Sequence, residues 1–415
     1  MERVSTDMSN NDMQYWMKIR EYKLSQLENQ MSSQQRIQNL RDDPIGASHA
    51  VRYQSDLARL SRYAKNVNTV IDTNNVADGY LATATSIMQR VRHLAVQGAN
   101  GTYTKGDLQN MGEEVNQLLN ELIQLANSRS PDGTALFAGT ANQGSAFRTL
   151  SGNVPGASGS VVTEVGYTGN ITENRVQTGD VSSISANIPG DRIFWAEQQQ
   201  VFSNVDATSY VVQRNSTIAI DGHAIRLRAG DNIYAIISKI NNSGAEVRAH
   251  LDPVKSSLVL ETTTPHQFWL RDVSGAPVLQ QLGILGSVDT NPPHNLASSA
   301  QVSGGSLFDM VIRLRNDLYQ GKTVNIGGSA LKGIDAGLNN LLSARAQFGS
   351  INERLKQVGN TIAYEIPLVT QDLSRETDVN MATAIMNLRK LQLTQQAAFE
   401  TAARILQPTL LNYLR

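Results

Sequence analysis

At both ends of the chain, apolar residues recur at alternating steps of four and three, and between about residues 130 and 325 that rhythm gives way. Tyr53, Leu57, Leu60, Ala64, Val67 and Ile71 keep it, and Tyr80, Ala84, Ile87, Val91 and Leu94 continue it. After the break "QGANGTYTKGD" it resumes through Leu108, Met111, Val115, Leu118, Leu122 and Leu125. Such spacing lines one face of a helix with apolar side chains and demands a partner helix along its whole length. The first segment repeats it more weakly through Met13, Met17, Leu24, Leu27 and Met31, with Arg20 interrupting. Near the C-terminus, Phe348, Ile351, Leu355, Val358 and Ile362 form a further stripe, which Pro367 is expected to end or kink near Ile366. A last helix is expected to start at Thr377 or Asp378 and to carry Ala384, Leu388, Leu391, Gln395, Ala398, Ala402 and Ile405.

The middle has a different texture, rich in Gly, Ser, Thr and Val, as short strands and turns are. "STIAIDGHAIRL" predicts a hairpin turning at Asp221-Gly222. A short helix capped by Asp231 should follow, with Ile233, Ile236, Ile237 and Ile240, and then a second strand pair in "AEVRAHLDPVKSSLVLE". The expected fold class is therefore mainly α with an inserted β-rich region, long N- and C-terminal helices forming a coiled-coil or rod bundle, and an outer β-rich lobe. The segments are 1–46 with 379–415 (terminal pair and connector), 47–150 with 320–378 (helical rod) and 151–319 (lobe, with the β-β-α-β-β module at 217–262).

Composition narrows the chemistry. Lys and Arg number 36 against 37 Asp and Glu, a formal charge of −1 that argues against a nucleic-acid binder. Aromatic residues make up only 6 %, so contacts rest on aliphatic side chains, as in coiled coils. The absence of cysteine excludes disulfides, thiolate metal sites and thiol catalysis. No apolar run is long enough to span a membrane and the first residues contain no signal-peptide core, which alone would suggest the cytoplasm.

No constellation of residues provides a reaction. His49, His93, His223, His250, His266 and His294 are scattered without metal-ligand spacing. "DTNNVADG" fails as a calcium loop because Val76 takes a ligand position, and "GGSALKG" lacks the order of a phosphate-binding loop. No nucleophile elbow is present. Asp42-Asp43 could be a metal dyad, but adjacent residues rarely face one ion, and Pro44 and Gly46 mark a chain corner. Catalytic, cofactor and metal sites are accordingly expected to be none. The terminal helices make too thin a core alone and should fold fully only against neighbouring subunits.

Four stretches resemble the bacterial flagellin superfamily: "ERVSTDM" at 2–8, "MSSQQRIQNLRDDPIGASHAV" at 31–51, "IMQRVRHLAVQGANGT" with "DGTALFAGT" at 87–140, and "SARAQFGSINERL" with "TDVNMATAIMNLRKLQLTQQAAFETAARILQPTLLNYL" at 343–414. The second is similar to the family's "SSGKRINxPSDDPxGA" signature, with Gln34-Gln35 in place of Gly-Lys and Leu40-Arg41 in place of Pro-Ser. Residues 217–262 resemble the IN motif inserted in flagellins and hook proteins. The resemblance implies a structural subunit of the flagellum at the hook–filament junction, with Asp42, Asp43, Pro44 and Gly46 as a connector. Met13, Met17, Leu24, Leu27, Met31, Leu388, Leu391, Ala398 and Ile405 would then be the assembly residues. It implies self-assembly in a ring, contact with the hook-side junction protein (hook-associated protein 1) and flagellin, and a flagellar export chaperone. Localisation becomes the flagellum, reached by type III export, extracellular or periplasmic. The alternatives are flagellin, the filament subunit, and a surface adhesin using the lobe as its binding head.

Overall fold

The computed structural model describes residues 6–141, 144–286 and 291–405, with side chains from 11 to 403. Three helices come first: α1 (Thr6–Ser33), α2 (Pro44–Ala99) and α3 (Lys105–Ala126). Two hairpins follow, β1 (Phe147–Asn153) with β2 (Ser160–Tyr167), and β3 (Arg175–Gln177) with β4 (Ser183–Ser185). Next are α4 (Gly190–Ile193), β5 (Gln200–Asp206), β6 (Ser216–Ile220), β7 (His223–Leu227) and α5 (Ile233–Asn241). Then come β8 (Val247–Leu251), β9 (Ser257–Thr262), β10 (Leu270–Ser274), α6 (Val278–Gln281) and β11 (Gln301–Ser303). The chain finishes with α7 (Leu307–Gln320), α8 (Thr323–Asn325), a π-helical turn at Ile326–Ala330, α9 (Leu331–Thr377) and α10 (Met381–Ile405). Two compact units result, Met1–Lys65 with Gly359–Arg415, and Asn66–Val358.

Within Asn66–Val358, the buried face of α2 is a run of steps of three and four: Val67, Val70, Asn74, Ala77, Leu81, Ala84, Met88, Val91 and Ala95. The expected stripe differs from it. Ala64, Ile71 and Tyr80 are only half-buried, because the seam passes through a polar residue, Asn74, that apolar periodicity steps around. Asn74 Nδ2 donates to Asn352 Oδ1 on α9 at 3.1 Å, and Asn352 Nδ2 donates to Asn75 Oδ1 at 3.0 Å. One polar layer among apolar ones fixes the register of two long helices, as a lone Asn does in a coiled coil. α3 packs on α7; Gly112 allows it, since a Cβ there would lie 2.7 Å from the Tyr319 ring. The same core takes in a ring cluster of Phe137, Phe147, Phe194 and Phe308.

A second core serves the β-rich part. Asp221 and Gly222 both have positive φ (48° and 82°), the turn the Asp-Gly pair predicts. The two strand pairs do not share a sheet, however. β6 and β7 join β10 in the order β10-β6-β7, while β8 and β9 join β11-β5-β9-β8. α5 packs on β7 and on β8, so one helix serves both sheets. Asn232, not Asp231, caps α5 through the Ala235 amide; Asp231 instead binds the Arg228 amide and the Lys239 ammonium.

Pro367 neither ends nor divides α9, which runs unbroken to Thr377. Its ring removes the donor that would reach the Ala363 carbonyl, but both residues are exposed, so water can satisfy that oxygen. α10 starts later than expected, at Met381, and Asn380 caps it through the Thr383 amide.

Candidate functional site

In the unit made by the chain ends, α1 and α10 pack as a pair. Met13, Met17, Leu24, Leu27 and Met31 on α1, and Leu388, Leu391 and Ala398 on α10, are all half-buried; the Ile405 side chain lies outside the described residues. On α10 only Ala384 and Ala402 are fully buried among the described side chains. Two clefts run along the pair. One is lined by Leu27 and Leu391 with Trp16, Arg20 and Lys390, and the other by Met13, Met17 and Ala398 with Trp16 and Arg20. The pair also leaves large apolar side chains in solvent: Trp16 (57 %), Tyr22 (59 %), Met386 (65 %), Leu393 (67 %) and Phe399 (51 %). Two helices cannot enclose apolar residues that point in several directions, and exposure on this scale marks an interaction surface.

The connector lies in the same unit and works through backbone pairing. Asp43 is the cap of α2: its Oδ1 accepts from the Gly46 amide at 2.9 Å, with Pro44 at the first helical position, where a missing N–H costs nothing. Gly46 suits this close approach, because a Cβ would meet Asp43 Oδ2 at 2.6 Å and Ile37 Cδ1 at 2.8 Å and push the capping carboxylate or the isoleucine tip aside. The Gly46 amide and then the Arg36 guanidinium hold the Asp43 carboxyl below the usual carboxylate range. Asp42 points elsewhere, accepting from the Gln38 and Asn39 amides, so the two carboxylates share no ligand. Among the described residues no group of three or more His, Cys, Asp or Glu could hold a metal ion.

Arg36, which the sequence reading did not single out, ties the two ends together. Nη1 binds Asp43 at 2.9 Å and Nη2 donates to the Glu376 carbonyl at 2.8 Å. Beside it the Arg36 amide donates to the Thr377 carbonyl, and the Val379 amide donates to the Gln34 carbonyl. His49 Nδ1 faces Glu376 Oε1 at 3.3 Å. The two helix breaks, 34–43 and 378–380, are thus clasped to each other or to the adjoining helix end across more than three hundred residues of sequence.

Gln34 sits at φ 59°, a left-handed conformation in which a side chain is strained, at the position where the family signature has Gly. Gln34→Gly should therefore stabilise the clasp by about 1 kcal/mol, partly offset by the freer unfolded chain. Slower hydrogen exchange at the Arg36 and Val379 amides would register it; faster exchange would overturn it.

One buried polar cluster in Asn66–Val358 also merits a chemical test. His266 Nε2 lies 3.0 Å from Asp221 Oδ2, and its Nδ1 lies 2.9 Å from the Thr264 carbonyl and 3.1 Å from Thr264 Oγ1. The order Thr, His, Asp suggests a triad, but the Thr264 hydroxyl donates to Glu246 Oε2 at 2.8 Å and is not presented to the ring as a nucleophile. Burial alone would depress the His266 pKa; the Asp221 hydrogen bond and charge raise it. Asp191, with an unpartnered Oδ1, is pushed up to about 7 by burial, even though Arg192 and His266 draw it down. Both groups bind protons more tightly when folded. The His266 contribution is full below its unfolded pKa and lost as pH rises through the folded one, and the cost of ionising Asp191 grows over the same rise. The melting temperature of this unit should therefore be lower at about pH 8.5 than at about pH 5.5. Calorimetry would check it, and a flat or rising profile would contradict the cluster's protonation.

Comparison with known proteins bears on the whole chain. The bacterial flagellin N-terminal helical region matches residues 4–142, the bacterial flagellin C-terminal helical region matches 331–414, and the flagellin hook IN motif matches 210–264. Polar flagellin C of Vibrio parahaemolyticus is 24 % identical over 409 residues, covering 97 % of this chain and 96 % of the relative. Flagellar hook-associated protein 3 of Salmonella typhimurium is 28 % identical over 207 residues, covering 45 % of this chain and 63 % of the relative. Among solved structures, the hook-associated protein 3 of Legionella pneumophila aligns with a TM-score of 0.48 at 15 % identity, over 78 % of this chain and 97 % of that one.

Proposed function

We propose, for a chain that belongs to the bacterial flagellin superfamily, the role of a structural subunit at the junction of hook and filament. The observation that carries a polymerising role is the α1–α10 pair, whose Trp16, Tyr22, Met386, Leu393 and Phe399 remain in solvent. A monomer gains nothing from that exposure, whereas neighbouring subunits would bury it. The junction is favoured over the filament by the match to a hook-associated protein 3, the higher in identity of the two relatives described.

On this reading the partners are further copies in a ring, the hook-side junction protein on one side and flagellin on the other. An export chaperone would hold the C-terminal helix before assembly. Residues 1–46 with 379–415 are the assembling part, 47–150 with 320–378 the rod and 151–319 the lobe. A second reading, flagellin itself, draws on the polar flagellin match along nearly the full chain.

Immuno-electron microscopy of purified flagella, with antibody raised against residues 151–319, separates these roles. A single band between hook and filament is the expected result. Label along the whole filament would replace the junction role with the filament role, and absence of label would sink both.

A further inference from the structure

The loop between α2 and α3 carries the only Asn-Gly step of the chain, Asn100-Gly101. α2 ends at Ala99, and both residues of the step are exposed. The Asn100 amide still reaches back to the Gln97 carbonyl at 3.1 Å, but the Gly101 amide has no acceptor among the described residues. Nor does the Asn100 carboxamide have a partner there. Gly101 has no side chain, and a Cβ built on it would meet nothing within 4 Å, so its nitrogen is open to approach. The Thr102 amide donates to the Asn100 carbonyl at 2.8 Å. That carbonyl belongs to the same peptide group as the Gly101 nitrogen. The donor therefore stabilises the anion left when this nitrogen loses its proton.

Three Asp-Gly steps in the chain could undergo the same ring closure, and each is held against it. Asp78-Gly79 lies inside α2, with its carboxylate bound by Arg345 Nε at 2.9 Å. Asp132 Oδ1 accepts from the Thr134 amide at 3.0 Å and from its hydroxyl at 2.7 Å, while the Gly133 amide is taken by the Ser130 carbonyl. The Thr134 amide and then its hydroxyl hold the Asp132 carboxyl below the usual carboxylate range, and an ionised carboxylate is a poor electrophile. The Asp221 side chain is buried, with Oδ1 accepting from the Trp269 amide at 2.8 Å and Oδ2 3.0 Å from His266 Nε2.

We propose that Asn100 is a site of spontaneous covalent modification, converted to aspartate and isoaspartate through a succinimide. The Gly101 nitrogen, having given its proton to hydroxide, attacks the Asn100 carboxamide carbon. The bond from that carbon to the NH2 group breaks, and ammonia leaves with a proton taken from solvent. Water then adds to either carbonyl of the five-membered ring and opens it. One opening restores the ordinary backbone as aspartate; the other runs the chain through the side chain as isoaspartate. Either product sets a new carboxylate at the C-terminal end of α2, where the helix dipole disfavours it, and just ahead of the Thr104–Asp107 capping box of α3. No enzyme is needed, so the modified fraction rises with the age of the chain. The inference stands apart from the junction role, since it concerns one loop and its own chemistry.

The full-length chain is kept in mildly alkaline buffer, folded and, in parallel, in denaturant. Isoaspartate is read by methyl transfer from S-adenosylmethionine with an isoaspartyl methyltransferase, and deamidation by the mass gained when an amide becomes a carboxyl. Peptide mass spectrometry locates both. In the folded chain Asn100 is expected to react at a rate close to that in denaturant, while Asp78, Asp132 and Asp221 are methylated only in denaturant. Gly101→Ala, which meets open space, should slow the reaction at Asn100 several-fold, and Asn100→Gln should abolish methylation there. A reaction at Asn100 many-fold slower in the folded chain than in denaturant would mean that the loop holds the step in an unreactive geometry, and would overturn the proposal. Equal methylation of the three aspartates in the folded chain, or an unchanged rate in Gly101→Ala, would overturn it as well.

Discussion

Leu388→Asp abolishes incorporation into flagella while the Asn66–Val358 unit stays folded. Leu388 sits on α10 between the buried Ala384 and the half-buried Leu391, which lines a cleft with Leu27 of α1. A carboxylate there forfeits the burial of a leucine and adds desolvation of a charge, a loss of at least about 2 kcal/mol. The helix pair has little burial with which to absorb such a loss. Asn66–Val358 holds two hydrophobic cores of its own, and neither contains a residue of α10. The expected phenotype is a soluble variant with an unchanged melting transition for that unit, no label on flagella and no motility. A motile strain whose flagella contain the variant would refute the assembly role of α10.

Phe308→Ala does the reverse, melting Asn66–Val358 first. Phe308 is fully buried at the start of α7. Its ring stacks on Phe194 at 5.6 Å and meets Phe147 edge-on at 5.0 Å, and Phe147 in turn packs on Tyr167. Truncation leaves a cavity where α7, the β1–β2 hairpin and the α4 region converge, and such phenylalanine deletions cost about 3–5 kcal/mol. Denaturant unfolding of the full chain would measure it; a loss below about 1 kcal/mol would mean that the cluster repacks and does not hold the unit together.

The mainly helical ends, the β-rich interior and the Asp221-Gly222 hairpin were legible because each depends on a local rule: periodicity, composition, or two residues with positive φ. What escaped depends on distant partners. Asn74 interrupts the apolar stripe of α2, and only its bond to Asn352 explains why a polar residue belongs in a buried seam. His266 and Asp221 are 45 positions apart, and each alone reads as a surface residue. Arg36 looked like one cation among many until Glu376 and Thr377 were placed beside it. Asp231 was mistaken for a cap because either it or Asn232 could serve, and the choice fell to the side chain without a lysine to bind. Pro367 does not end α9, since solvent can reach the carbonyl that its ring leaves without a donor.

The clasp also dictates an order of events. Arg36 and Glu376 are 340 residues apart, and closing so long a loop in an unfolded chain costs about 5 kcal/mol in entropy, more than a few exposed hydrogen bonds return. Once Asn74 and Asn352 are bonded across α2 and α9, however, the two strands of chain leading to the clasp already start from a common point. Each further turn then closes only a small loop. The clasp is therefore expected to open before the Asn74–Asn352 layer does, with faster amide exchange at Arg36 and Val379 than along the buried seam of α2.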